Sequence, residues 1–473
     1  MLNFMLLSGC WLTSPIDAVA MVPESCSTVV AISNLMSTDD RIEESMRGMD
    51  RGDLLLGVDP TDMIRAFAGI PAGLDDDGNL ALGMAEDGWI AALPSPDPEG
   101  MFDMNFGSAV DGRRTAMMFG SSMDISTAAR DAFGLVGSGP SIQTPGRGAA
   151  AATEWWDSFP EDLRQRGEIF MTAPVSEASL LFASLGLDID LELLSQLQEA
   201  GFGVDLDAPA NFVVDFDALA VSVRMHVPWQ SRTMSAPTSS NFEDLGPSQP
   251  VLAARLDWTR LRESGLVWAL ATAMEQPMLA FAFPEATSFA LVADRPTAEG
   301  GMMSNTRLRF EAPDASGTAN QLRSILTPTK TNGMERFSMD FPEESEFSSI
   351  FGTTSSGVMQ ESSGVVRVGM GAASDRLIHP DSLESAGIVD TMREWMPKTR
   401  DVEMYMDATL LSEGLGLMSD QDIPEGMPPV GVAVGMQASD SGSGALDIAI
   451  VLPAPVAALM LDAAMASQAG SGS

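Results

Sequence analysis

Positive charge is what this sequence has least of. Twenty-six Lys plus Arg stand against 66 Asp plus Glu in 473 residues, a formal net charge of -40, and Lys330 and Lys398 are the only lysines. Phosphate backbones are held by basic grooves or stripes, so this balance excludes nucleic acid as a partner. The acid is spread over many short loops with no polyacidic tail, a distribution that keeps an exported or salt-exposed protein soluble. The alternative, a cation-binding surface, requires carboxylates converging on one point.

Cysteine and histidine are nearly absent too. Cys10 and Cys26 alone exclude a disulfide-dense scaffold and a cysteine-rich zinc site. His226 and His379 have neither a Glu nor a second His at ligand spacing, which marks them as surface or strand-end residues. Nucleophile-elbow, Ser-x-x-Lys and P-loop patterns are missing, and the Gly-rich stretch 134–148 reads as a flexible linker. In Asp75-Asp76-Asp77-Gly78-Asn79 a calcium-loop alignment puts Gly73 and Met84 at the first and twelfth positions, where oxygen ligands belong, so an acidic turn is expected. No catalytic residue, metal site or cofactor is therefore assigned. The abundant methionines, among them Met117-Met118, Met302-Met303 and Met404/Met406, read as adaptable core filler. Trp156 and Trp395 fall at equivalent places in two related stretches, which favours a packing role.

What the chain does have begins at its start. Residues 1–9 (MLNFMLLSG) are mostly apolar and lead to Leu7-Ser8-Gly9-Cys10, which resembles the lipobox of bacterial lipoproteins. The resemblance implies removal of the leading segment and lipidation of Cys10, with the membrane as partner through acyl chains worth about 0.8 kcal/mol per buried CH₂. No Lys or Arg precedes the apolar run, which is shorter than a usual signal peptide. The competing reading leaves Cys10 free or paired with Cys26. No later apolar run approaches the ~20 residues needed to span a bilayer.

Repetition is the second positive feature. Leu93-Pro94-Ser95-Pro96, with Met101 and Asp103 beyond it, recurs as Leu452-Pro453-Ala454-Pro455 with Met460 and Asp462. Leu80-Ala-Leu-Gly-Met84 matches Val432-Ala-Val-Gly-Met436, and Glu168-Ile-Phe-Met-Thr-Ala173 matches Glu403-Met-Tyr-Met-Asp-Ala408. Val29 to Ser33 is paired with Leu252 to Leu256, and Arg114 to Phe119 with Val365 to Met370. Helices are expected at 34–46, capped from Ser37 to Asp39, and at 60–68, 126–133, 258–270 and 314–326.

The predicted organisation is a truncated signal-like segment and tether at 1–20, halves at 21–228 and 250–466, a linker or long loop at 229–249, and a disordered tail at 467–473. The alternation in Arg307-Leu-Arg-Phe-Glu311 is read as a polar face turned outward. The fold class is accordingly α+β, internally duplicated, with antiparallel sheets, helices packed on one face and repeated strand-helix-hairpin-helix modules.

Val22-Pro23, Ser33-Asn34-Leu35 and the Leu-Pro exit at Leu93 to Asp97 loosely resemble exported bacterial proteins of a domain-of-unknown-function family. That resemblance brings no activity with it. The expected function is a non-catalytic, membrane-tethered lipoprotein of the cell envelope, facing the periplasm or the exterior, that binds or scaffolds an unidentified protein or small molecule. Two alternatives stand beside it: a carrier holding an apolar ligand in a Met-rich pocket, and a hydrolase that uses carboxylates only.

Overall fold

The structure is a computed structural model that describes residues 14–52, 73–97, 100, 116–118, 132–138, 144–177, 208–230, 250–264, 267, 285–294, 304–331, 334–340, 354–371, 373–374, 392, 402–407, 430–438 and 443–458. The chain divides into two compact units. The first comprises Met1–Leu185, Pro209–His226 and Pro453–Ser473, and the second Gly186–Ala208 and Val227–Leu452.

The first unit is an antiparallel sheet. Its strands are β1 (Thr28–Ile32), β2 (Leu80–Ala85), β3 (Gly88–Pro94), β4 (Ala116–Met118), β5 (Phe133–Ser138), β6 (Ile169–Pro174), β7 (Pro209–Phe216) and β8 (Ala220–Gln230, in this unit as far as His226). The order across the sheet is β4-β5-β3-β2-β1-β6-β7-β8. β-branched residues in Thr28-Val-Val-Ala-Ile suit the centre of such a sheet, where both faces are covered.

On one face, Val29, Ala31, Ala81, Ile90, Ala92, Leu135, Phe170 and Val213 form a core with α1 (Ile16–Val19) and α3 (Gly148–Asp157). Trp156 meets Phe170 edge-on with ring centroids 4.7 Å apart, Trp155 meets Phe159 at 4.9 Å, and Phe159 meets Phe170 at 5.5 Å. Buried aromatic pairs of this geometry add about 0.5–1.5 kcal/mol each beyond their area. Arg147 ties the two helices together by donating to the carbonyl oxygens of Val22 and Pro23.

The opposite face carries a smaller cluster of Ile32, Leu80, Ala91 and Leu93, closed by Leu35 at the start of α2 (Leu35–Gly48). The cap of α2 is Asn34, three residues ahead of the expected position; its side chain accepts from the Ser37 amide at 2.9 Å at a positive φ of 51°. Asparagine can take that left-handed backbone while capping, which Ser37, already inside the first turn, does not do. At the other end of α2, Met49 packs with Ala454 and Ala458 from the Leu-Pro exit near the C-terminus.

The second unit contains β9 (Pro250–Leu256), α5 (Trp258–Ser264, after the short α4 at Glu161–Arg164 in the first unit), β10 (Ser288–Asp294), β11 (Thr306–Glu311) and α6 (Ala315–Leu326). β12 (Thr329–Thr331), β13 (Met334–Asp340), β14 (Thr354–Ser362), β15 (Val365–Met370), β16 (Val402–Asp407), β17 (Gly431–Ala438) and β18 (Ser443–Pro453) follow. Its order is β12-β13-β14-β15-β11-β10-β9-β16-β17-β18, again antiparallel throughout. With β12 and β13 set aside, this is the order of the first unit, β9 standing in the place of β1 and β16 in that of β6.

Matching Phe170 with Tyr405, which face Ala31 and Ala253 respectively, aligns Val29–Ser33 with Val251–Arg255. That is one residue earlier than the sequence predicts. The place of β15 is taken in the first unit by β5, and the described part of the stretch 114–119, Ala116–Met118, forms β4. The first part of the 134–148 stretch is likewise corrected from a linker, since Phe133–Ser138 pairs with both β3 and β4. Two glycines weaken the local strand signal there, and ladder pairing overrides it.

The expectation of α+β modules with helices laid on one face is overturned. Antiparallel sheet carries the architecture, the helices among the described residues are few and short, the longest being α2, and in the first unit they cover both faces. The misleading signal was alternation. Arg307 is fully buried and Arg309 is 8 % exposed, so the face read as outward is an interior one, made tolerable by pairing. Arg307 donates to both oxygens of Asp294 at 3.2 and 3.0 Å, and Arg309 is paired with Glu311. Of the expected helices, 60–68 and 126–133 lie almost wholly outside the described residues; 314–326 is α6, capped by Asp314 accepting from the Ser316 amide.

Candidate functional site

The glutamate at the start of the repeated strand phrase, Glu168 in the first unit and Glu403 in the second, is where charge is brought inside. In the second unit Glu403 lies on β16 opposite Arg255 of β9, and the two side chains meet at 3.1 Å, Nε to Oε1. The hydroxyl of Tyr405, two residues along the same strand, donates to the other carboxylate oxygen at 2.6 Å. Glu403 is thus engaged by a cation on one oxygen and a phenol on the other, and Tyr405 is fully buried.

In the first unit the matching residue is Glu168, 2 % exposed, just ahead of β6. Its backbone extends both ladders: the Glu168 amide donates to the Val214 carbonyl at 3.0 Å, and the Ser33 amide donates to the Glu168 carbonyl at 3.3 Å. Ser33 thus holds the place of Arg255, so the adjoining strand puts a neutral side chain at this position. The Glu168 side chain instead bonds to the carboxyl of Asp215 on β7. It also accepts from the Phe216 amide at 3.1 Å and lies 3.3 Å from Arg41 Nε on α2.

Two carboxyl groups in hydrogen-bond contact require a proton between them. Burial, and then the neighbouring Asp215 charge, push Glu168 up to about 8. Burial also raises Asp215, opposed by the hydrogen bond from Glu168 and by Arg41. The pair therefore holds one proton between its two carboxyl groups at neutral pH. Such a pair can donate and accept a proton, the chemical capacity a carboxylate-only mechanism requires.

Glu168 binds a proton in the folded unit over a pH range where the unfolded chain has released it, so its contribution is fully present below about pH 4.5 and is lost as pH rises through about 8. Glu168→Gln, neutral at every pH, is expected to abolish that slope and to make the first unit roughly 2–3 kcal/mol more stable than the parent at pH 9, read by urea unfolding at pH 5, 7 and 9.

The residues singled out from sequence are distributed as follows. Cys10 and His379 lie outside the described residues, as do Trp395, Met302 and Met303. Cys26 is a buried free thiol beside Gly83, where a Cβ would stand 2.9 Å from its sulfur, and burial raises its pKa. His226 stands on β8 opposite Asn211. Asp75 forms a turn, its side chain accepting from the Asp77 amide and its carbonyl from the Gly78 amide, while the carbonyls of Asp76 and Gly78 receive the first amides of α2. Trp155 and Trp156 are core residues. No cluster of three or more His, Cys, Asp or Glu side chains suited to a metal ion occurs among the described residues.

The carboxyl pair escaped sequence reading because its members are far apart in the chain and meet only through the β6–β7 ladder. The available signal was the glutamate that opens the recurring strand phrase in both halves.

No family model matches the sequence, and no curated protein matches it. Among solved structures, the chain is similar to crystal form III of TP0453 at 11% identity and a TM-score of 0.26, over 48% of this chain and 99% of that one. Crystal form IV of TP0453 gives 13% identity and a TM-score of 0.25, over 47% of this chain and 97% of that one. The likeness is too weak to assign a fold or an activity.

Proposed function

We propose that this chain is a non-catalytic cell-envelope protein, held at a membrane through a lipid on Cys10, that binds or scaffolds a partner. The observation that carries the reading is the placement of α1 and the residues after it. Ala18, Val19, Ala20, Met21 and Val22 are each 2 % exposed or less and belong to the core of the first unit. Asn79 secures the entry to this segment, donating to the Ser14 carbonyl and the Asp17 side chain.

The chain between Cys10 and Pro15 can extend roughly 17 Å at about 3.5 Å per residue. A lipid at Cys10 would therefore keep the folded first unit within that distance of the bilayer. A short tether running directly into a packed core suits a body that must be presented at a surface. Of the buried charged side chains, Glu403 is committed to Arg255 and Tyr405, and Arg307 to Asp294, so these groups are engaged inside the fold.

Metabolic labelling with a fatty acid tests the reading. The parent protein is expected to take up label and remain with the membrane fraction, and Cys10→Ala to do neither. Equal labelling of the two proteins, or none in the parent, would exclude the anchor.

A further inference from the structure

The two units treat one position of the same strand order differently. Glu403 has a cation on the adjoining strand, whereas Glu168 has a second carboxyl on one side and a neutral serine on the other. The cation that reaches Glu168 comes from outside the sheet, from Arg41 on α2, and Arg41 is 44 % exposed. We propose that Glu168 and Asp215 form a proton-operated latch that fastens α2 to the adjoining ends of β6 and β7, closed while one proton is shared and open once it has left.

The charges around the pair set the direction. Arg41 approaches from α2, Asp217 lies beyond the end of β7, Arg166 precedes β6, and Ser222 of β8 stands opposite Asp215. With the proton in place the site holds one negative charge, which Arg41 balances. Without it, two carboxylates are buried side by side, and a single water-screened guanidinium does not offset both their repulsion and their desolvation. Hydration of the pair relieves this, and water reaches it when α2 lifts from the strand ends.

The helix is built to transmit such a movement. At its C-terminal end Gly48 is so close to the β7–β8 turn that a Cβ would lie 1.8 Å from the Ala218 carbonyl oxygen. Just beyond, Met49 is buried against Ala454 and Ala458. A shift at Arg41 is therefore felt along the helix and at the C-terminal segment packed on it.

Hydrogen–deuterium exchange of the full-length protein at pH 6 and pH 9, corrected for intrinsic exchange rates, tests the latch. Peptides covering α2 and residues 214–217 are expected to lose protection by about tenfold at pH 9, the change one pKa unit of differential stabilisation produces. Peptides from α6 in the second unit should stay unchanged. Glu168→Gln, which fixes the neutral form, is expected to keep α2 protected at both pH values; if that variant fails to fold, Asp215→Asn serves the same purpose. Equal protection of α2 at the two pH values in the parent, or a parent-like loss in the neutral variant, would overturn the proposal.

Discussion

Asp294→Ala is expected to be among the most damaging single substitutions in the second unit, at a cost of about 3–5 kcal/mol. The side chain it removes is the bidentate acceptor for Arg307, which is completely buried. Taking a guanidinium out of water costs several kcal/mol, and without the carboxylate that cost is no longer offset. Loss of the partner, rather than loss of attraction, dominates the effect.

The double variant Asp294→Leu with Arg307→Met should accordingly recover most of the loss, since it removes both charges at similar volume. Guanidinium unfolding followed by circular dichroism reads both proteins. A single variant with an unchanged midpoint would mean that the charge of Arg307 is compensated elsewhere.

Phe170→Ala is the counterpart in the first unit, with an expected loss of about 3–5 kcal/mol. Phe170 is fully buried at the centre of the sheet, with Trp156 edge-on at 4.7 Å and Phe159 at 5.5 Å. Its removal forfeits transfer energy, leaves a cavity between α3 and β6, and breaks two aromatic contacts. Phe170→Leu, which keeps most of the volume, should lose less than half as much. A first unit whose thermal transition is unaffected by Phe170→Ala would show that the aromatic cluster is not part of the load-carrying core.

These two residues also show how far the strand patterns could be read. Phe170 and Tyr405 stand at matching places in a repeated phrase, so a buried aromatic on the same strand of each half was visible in the residues themselves. Arg307 was visible only as one polar member of an alternating run. Alternation distinguishes the two faces of a strand, but water is not the only environment that accepts a polar face. Here Asp294, thirteen residues away on the paired strand, accepts it inside the protein.

The same division runs through the carboxyl pair. Glu168 could be found from its recurrence with Glu403, whereas its partner could not, because Asp215 has Gly435 in the matching place of the second unit. One exchange of that kind, together with Ser33 for Arg255, converts a neutralised ion pair into two acids sharing a proton. Nothing local in either strand announces the difference.

Local chemistry by itself determined where the strands of the repeated phrases run, the start of α6 at Asp314, and the excess of acidic over basic residues. Those features depend on side-chain type and short spacing, which the chain order preserves. Tertiary structure alone decided that antiparallel sheet dominates, that a Gly-rich stretch is a paired strand, that the arginine face is interior, and that Glu168 meets Asp215. Each of these depends on which strand lies alongside which, and ladder pairing between distant segments sets the burial and the charge partners that fix what a residue can do.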